Sequence, residues 1–457
     1  MKKYLYFFLF IVILLPSCKK ADNGDPDGWT PADEEFYNKV IDLQDLASEN
    51  FETWILSMDS ATALNQLQQF FLQNVAVSSA TLGDQGIAVE YTNGMRGGIF
   101  INPMDDPDPG FLKANDFPKI PSPLKTPEAL VNIKKAVFLN PSYWERSQYA
   151  DWILQHYNYY MPWAGFTLQN AYKNQDASVS RFTGLAGYGV IHVYSHGWAY
   201  PKSSNISDVY LMTGEVASIA ATLKYWPDIK KRMLIITKTK NASGWKNIYW
   251  INKDFIAGHN DFSQDTILFY GGFCYSFLGK WDQLNKTFAK GSYFGFSWYV
   301  RTNRNASWGA SLVDSLCDTT RKPAYTTEKW ISAPNPPKSY FEAAAQKTVR
   351  VQYVGDAALT FWQQPTAYFT WTASSMHSAT EICRGSSVTV QDRSSGHGFP
   401  LTEWQWYFQN GTPSSYYGAQ PPAIYFNTFG SGGVRLVVSN ALGSNSSEVS
   451  FSIVNCK

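Results

Sequence analysis

Charge is scarce in this chain: Asp, Glu, Lys and Arg make up 16% of its 457 residues, and the formal net charge is +1. No basic run occurs, so the electrostatic footprint of nucleic-acid binding is missing and no nucleic-acid partner is expected. Long hydrophobic runs are missing too. The apolar stretch Tyr4 to Leu15 has twelve residues, whereas a helix crossing a bilayer of ~30 Å needs ~20, so it is excluded as a membrane span. Cysteine is limited to Cys18, Cys274, Cys317, Cys383 and Cys456. None stands at a C-x-x-C spacing, which argues against a structural zinc site; neither a metal nor a cofactor is expected.

What the chain does have is apolar and aromatic material. Hydrophobic residues reach 44% and aromatic residues 16%, with 17 Trp and 28 Tyr. That suffices for real cores, and the length implies two or three domains. The aromatic excess suits either β-rich interiors or surfaces that contact peptides and glycans. Interiors are the plainer reading.

Lys2 and Lys3 ahead of the apolar stretch form an export signal. Leu15-Pro16-Ser17-Cys18 then resembles a lipobox, in which the cysteine is acylated before cleavage. The expectation is a signal peptide over 1–17, lipidation of Cys18, and a polar tether over 18–31. The protein would then be held by lipid in a bacterial envelope, at the outer membrane or cell surface. One acyl chain anchors only marginally, so retention implies several. An ordinary signal peptide with an incidental cysteine is the alternative. Export places the other cysteines in an oxidising compartment. Cys383 and Cys456, near the two ends of the last domain, are the expected disulfide; Cys274 and Cys317 are then expected to be unpaired, with a bridge between those two as the alternative.

Periodicity divides the body. Residues 32–74 carry apolar positions at helical spacing (Phe36, Val40, Leu43, then Leu64, Leu67, Phe71) and predict two or three helices. Over 75–102 the period becomes two, with Asn93-Gly94 as a hairpin turn. The stretch 103–129 is Pro-rich and reads as a linker or wrapping loop. Residues 32–130 are thus expected to be a small α+β segment, a pro-segment or a lid. From 131 to 362, strands (134–140, 166–172, 189–194, 266–270) alternate with short helices (148–156, 177–184). This predicts an α/β fold with a mostly parallel sheet and flanking helices. A strand–turn–strand unit at 231–255, turning at Gly244, reads as an insertion.

In open α/β sheets, function collects beyond the carboxyl ends of strands. One predicted strand ends in Ser195-His196-Gly197 and another in Gly271-Gly272-Phe273-Cys274. A cysteine attacks as thiolate, and a free thiol titrates near ~8.5. An adjacent imidazole promotes that state and later protonates a leaving amine, while backbone N–H groups stabilise the oxyanion. The expected assignment is Cys274 as nucleophile, His196 as acid–base, and the amides of Gly197 and Cys274 as oxyanion donors. The bland alternative makes His196 a satisfied loop histidine and Cys274 a small buried hydrophobe. Asp208 is a candidate to orient His196. His192, inside a strand, reads as core; His156, His259, His377 and His397 have no cysteine context.

The run Val190 to Gly197 (VIHVYSHG) resembles the strand and S-H-G of the caspase-like cysteine peptidases, the clan of gingipains, clostripain, legumain and caspases. Thr266 to Ser276 (TILFYGGFCYS) resembles the strand ending in the nucleophile. Ala289 to Trp298 resembles the next strand of that clan, which lines its primary specificity pocket, and Gly355 to Leu359 (GDAAL) resembles the close of gingipain-type domains. The resemblance covers about 131–362. It implies peptide-bond hydrolysis of a peptide or protein substrate by a Cys274–His196 dyad, with Phe273, Phe296, Ser297 and Trp298 at the substrate pocket. Phe273 and Gly272 depart from the clan's usual residues before the cysteine, and Gly272 removes the acidic residue that accompanies basic specificity.

After a linker over 363–376, residues 377–457 carry short alternating strands with Gly, Ser and Asn turns, which predict an Ig-like β-sandwich. Cys383 to Val390, Asp392 to Ser395 (DRSS), Trp404 to Phe408 (WQWYF) and Val434 to Gly443 resemble a polycystic kidney disease (PKD) domain. Trp406, Phe408, Leu436 and Val438 are expected in its core, with Trp404 on the opposite face. Such domains space catalytic modules or contact protein or polysaccharide. Two function classes follow: an envelope cysteine endopeptidase with an accessory PKD domain, or a catalytically inactive, peptidase-like lipoprotein that binds peptide or glycan.

Overall fold

The computed structural model describes residues 28–101, 129–131, 133–202, 205–241, 243–317, 326–334, 337–342, 347–361, 365–396, 400–440 and 443–456. The expected export signal, Cys18, most of the expected tether, the Pro-rich stretch to residue 128, and His397 lie outside the described residues. Among the described residues no helix is long and apolar enough to cross a membrane.

Two helices come first, α1 (Pro31–Ile55) and α2 (Ser60–Leu72), then β1 (Val77–Gly83), β2 (Gly86–Tyr91) and β3 (Arg96–Phe100). Thr30 opens α1 with a capping box to Asp33, and Asp59 caps α2. Next are β4 (Ala129–Leu130), β5 (Lys135–Asn140), α3 (Ser147–Tyr160), β6 (Thr167–Lys173), α4 (Val179–Phe182) and β7 (Val190–Tyr194). The chain continues through β8 (Gly197–Lys202), β9 (Asn205–Val216), α5 (Ile219–Lys230), β10 (Leu234–Asn241), β11 (Gly244–Ile251) and α6 (Lys253–His259). It then makes β12 (Thr266–Gly272), β13 (Lys290–Phe296), α7 (Thr302–Cys317), α8 (Thr327–Ser332), β14 (Ser339–Glu342) and β15 (Lys347–Gly355).

These strands form two seven-stranded sheets. The first runs β14-β15-β13-β12-β7-β5-β6; the five strands from β13 to β6 are mutually parallel, and β15 and β14 close one edge antiparallel. Its central strands are near-continuous apolar runs because both faces are covered. Phe138, Val190, Leu268, Tyr270 and Phe294 pack with Ile153 and Tyr157 of α3 and Leu312 and Leu316 of α7. The alternate residues Val137, Leu139, Ile191, Val193, Ile267 and Phe269 enter the core shared with the second sheet.

The second sheet runs β1-β2-β3-β10-β11-β9-β8, antiparallel except between β3 and β10. It curls until its two edges meet, with Gly83 of β1 lying against Pro201 of β8. Ala88, Phe100, Trp198, Tyr200, Tyr210, Met212, Ile235, Ile248 and Trp250 fill its inner face. Period-two alternation turns their neighbours, such as Ile87, Val89, Leu234 and Ile236, to the other core. Much of the aromatic excess is thus interior.

This sheet corrects two expectations. The strands of residues 75–102, which do turn at Asn93-Gly94, are not a self-contained segment, because β3 pairs with β10. The strand–turn–strand at 231–255 is not a free insertion, since β10 and β11 form the middle of the same sheet. Removing residues 32–130 would take three of its seven strands.

Residues 365–456 form a β-rich region of a three-stranded and a mostly antiparallel six-stranded sheet. Phe369, Val388, Trp406, Phe408, Leu436 and Val438 share its core. The strand Phe369–Ala373 belongs to it, pairing with Ser386–Asp392, so most of the expected linker is part of the fold. Trp404 is not on the face opposite Trp406. Residues two apart on a strand share a face, and Trp404 packs against the same core while its indole N–H donates to Asp392. Cys383 and Cys456 are bridged, and neither Cys274 nor Cys317 is in a disulfide. A bridge closing 73 residues contributes about 4 kcal/mol by restricting the unfolded chain.

Candidate active site

β7 and β12 are adjacent and parallel, with Tyr194 in register with Gly272. The segments leaving their carboxyl ends, Ser195-His196-Gly197 and Phe273-Cys274, therefore emerge side by side. Ser195 N–H donates to Gly272 O (3.0 Å), tying the two exits together. His196 sits where the chain crosses from the parallel sheet to the curled one. Its carbonyl accepts from Met212 N–H (3.1 Å), and its ring lies 5.4 Å from that of Phe100.

His196 Nε2 donates to Glu145 Oε2 at 2.6 Å, the two side chains being 16% and 18% exposed. With Nε2 carrying the proton in this bond, a neutral imidazole keeps its lone pair on Nδ1, the form a general base needs. Glu145 lies in the turn after β5, at the same edge of the sheet. Asp208 does not take this role, because it pairs with the buried Arg96 guanidinium at 2.7 Å. Arg96 also binds Glu90 at 3.0 Å, which satisfies its charge inside the curled sheet.

Cys274 and His196 border one narrow cavity of about 60 Å³, together with Gln85, Glu145, Arg146, Val300 and Arg301. Burial pushes the Cys274 thiol up to about 11; the backbone amides of Val300, Cys274 and Gly197, all directed at the sulfur, partly offset this. Val300 N–H lies 3.4 Å from Sγ. The next residue, Tyr275, holds φ +59°, a conformation costly for a non-glycine residue. It is retained by its N–H bond to Trp298 O (3.0 Å) and by ring contacts with Trp298 and Tyr299. Gly197 has no room for a side chain: a Cβ there would meet Cys274 O at 2.0 Å.

Of the expected pocket residues, Phe273 and Phe296 are fully buried, Phe273 against Trp281 and Phe296 against Trp308. Neither borders the cavity, and neither do Ser297 and Trp298. The wall is made a few residues later, by Tyr299 to Thr302. The cause is local geometry: Phe277 N–H donates to Phe296 O and Tyr275 N–H to Trp298 O, which carries the chain past the sulfur before it turns inward. His192 is fully buried with Nδ1 on Tyr157 OH at 2.8 Å, held near pKa 3 by burial, as expected of a core histidine. His156 pairs with Asp314 and His259 with Asp228, both away from the cavity.

Besides that wall, Glu145 and Gln85 were not anticipated. Glu145 follows a parallel strand at its carboxyl end, so the rule that flagged His196 and Cys274 also reaches it. Gln85 carried no signal. It sits in the β1–β2 turn and is 3% exposed, donating through Nε2 to Gly197 O (2.9 Å) and accepting from Ala199 N–H (3.4 Å). The N-terminal strands thus clamp the loop that bears His196.

Glu145→Gln keeps a hydrogen-bond acceptor for His196 Nε2 but replaces the carboxylate by a neutral amide. Turnover of a peptide substrate is expected to fall by about 10²-fold, with KM little changed. A kcat unchanged from wild type would assign Glu145 a purely structural role. No protein-family model matches the chain, and no curated protein matches it.

Proposed function

We propose that the chain is an envelope lipoprotein with cysteine endopeptidase activity. Its α/β region would be of caspase-like type and its C-terminal region a PKD-like accessory sandwich. One observation carries the catalytic part: a free thiol and a carboxylate-held imidazole share a cavity beyond the ends of adjacent parallel strands. In this reading His196 takes the Cys274 proton as sulfur attacks the scissile carbonyl. The Gly197 and Cys274 amides hold the oxyanion, and His196 returns the proton to the departing amine. Water then releases the acyl group from sulfur. Arg146 and Arg301 border the cavity, and Glu145 is already engaged by His196, so basic side chains next to the scissile bond are disfavoured. The lipid anchor rests on Lys2 to Cys18, and the accessory domain on the WQWYF and VRLVVSNALG segments.

A peptidyl acyloxymethyl ketone tests the assignment. Labelling is expected at Cys274, abolished by His196→Ala, with a peptide-library digest then reading the residue preference. If Cys274 reacts no faster than an ordinary exposed thiol, the inactive binding lipoprotein is the better reading.

A further inference from the structure

We propose that the cleft between α1 and α2 binds an uncharged, hydroxyl-rich ligand, a neutral oligosaccharide, independently of the cysteine site. From Ser60 to Gly83 the chain has no ionisable side chain at all, whereas α1 carries Asp33, Glu34, Glu35, Lys39, Asp42, Asp45, Glu49 and Glu52. A solvent-facing helix ordinarily carries charge on its outer side. In α2 that side carries neutral hydrogen-bonding groups instead.

Ala63, Leu67 and Phe71 bury the inner face of α2. Thr62, Asn65, Gln66, Gln69 and Gln73 follow the three- and four-residue spacing of the face that lines the cleft. All five are exposed, and the four carboxamides make no side-chain bond among the described residues. Gln68, turned inward, shows the contrast: its amide donates to Ala80 O at 2.9 Å. The open cleft holds about 410 Å³, and Trp54 and Phe70 form its aromatic wall, their rings edge to face at 6.4 Å.

The chemistry selects the ligand. Each carboxamide offers two donors and an acceptor, matching neighbouring hydroxyls that donate and accept. Half-buried aromatic rings present flat apolar faces to the C–H side of a sugar ring. An anionic ligand finds no cation in this lining, and a cationic one finds no carboxylate. From Thr62 to Gln73 the stripe runs about 17 Å, the reach of a short oligosaccharide.

The experiment titrates the full chain with cello-, lamino-, malto- and mannohexaose, with polygalacturonate as charged control, reading tryptophan emission and calorimetric heat. At least one neutral hexaose is expected to bind with an affinity insensitive to salt. Gln69→Ala should weaken it about tenfold, Trp54→Ala should abolish it, and Cys274→Ala should leave it unchanged. Because Gln69 is exposed, its variant keeps the test decisive if Trp54→Ala fails to fold. The proposal is overturned if no neutral hexaose binds, if polygalacturonate binds as tightly, or if binding survives Gln69→Ala undiminished. Since Cys274→Ala is read in parallel, failure of the peptidase reading leaves this outcome untouched.

Discussion

Peptide hydrolysis is expected to fall by about 10⁴-fold in Cys274→Ala and by a similar factor in His196→Ala, and the double variant should be no slower than either single one. The non-additivity follows from function as a unit: a thiol without its base and a base without its nucleophile are equally idle. The resting thiol sharpens the expectation. Because burial raises its pKa to about 11, Cys274 is protonated through neutral pH. Iodoacetamide, which needs thiolate, should therefore react about tenfold faster per pH unit from pH 8 to 10, without a plateau at neutrality. Substrate turnover should instead depend on His196 taking the proton within the complex. A reactivity plateau near pH 6 would mean a preformed thiolate–imidazolium pair and would contradict the packing around Sγ. The linkage has a definite sign. A thiol raised from ~8.5 when unfolded to about 11 when folded contributes stability that is full below pH 8.5 and is lost as pH rises towards 11.

Gly197→Ala is expected to be nearly as damaging for a different reason. The added methyl would stand 2.0 Å from Cys274 O and 2.7 Å from the Phe273 ring, so backbone must move where two strand exits are tied together. Overpacking of this kind costs about 1–3 kcal/mol of stability. Displacing an oxyanion donor costs a further 10²–10³ in kcat, or about 3–4 kcal/mol of barrier. Thermal unfolding and kcat measured on the same preparation separate the two effects. A variant with wild-type kcat would remove Gly197 from the oxyanion assignment.

Gln85 shows how far such a site depends on distant sequence. Its amide and carbonyl hold the backbone on both sides of Trp198, yet it enters from a hairpin more than a hundred residues earlier. That hairpin is placed by β3 lying parallel to β10. Nothing in the period-two pattern of residues 75–102 distinguishes a strand that pairs with its own neighbours from one that completes a remote sheet, because alternation reports which face is buried and not which edge is joined. The same limit produced the misplaced insertion at 231–255 and the supposedly separate segment at 32–130.

Local chemistry was enough for the parts governed by local rules. Apolar runs ending in Ser-His-Gly and Gly-Gly-Phe-Cys marked parallel strands whose ends meet at the cavity, the helical spacing of 32–74 marked α1 and α2, and two cysteines near the ends of the last domain marked its bridge. Tertiary structure alone decided which acid holds His196, since Glu145 and Asp208 are equally acidic in sequence and only packing commits Asp208 to Arg96. It likewise decided that Phe273 and Phe296 are core and that Tyr299 to Thr302 form the cavity wall. The physical reason is common to both: periodicity and turn chemistry act over a few residues, whereas sheet edges, buried ion pairs and cavity walls are set by contacts between segments that only the folded chain brings together.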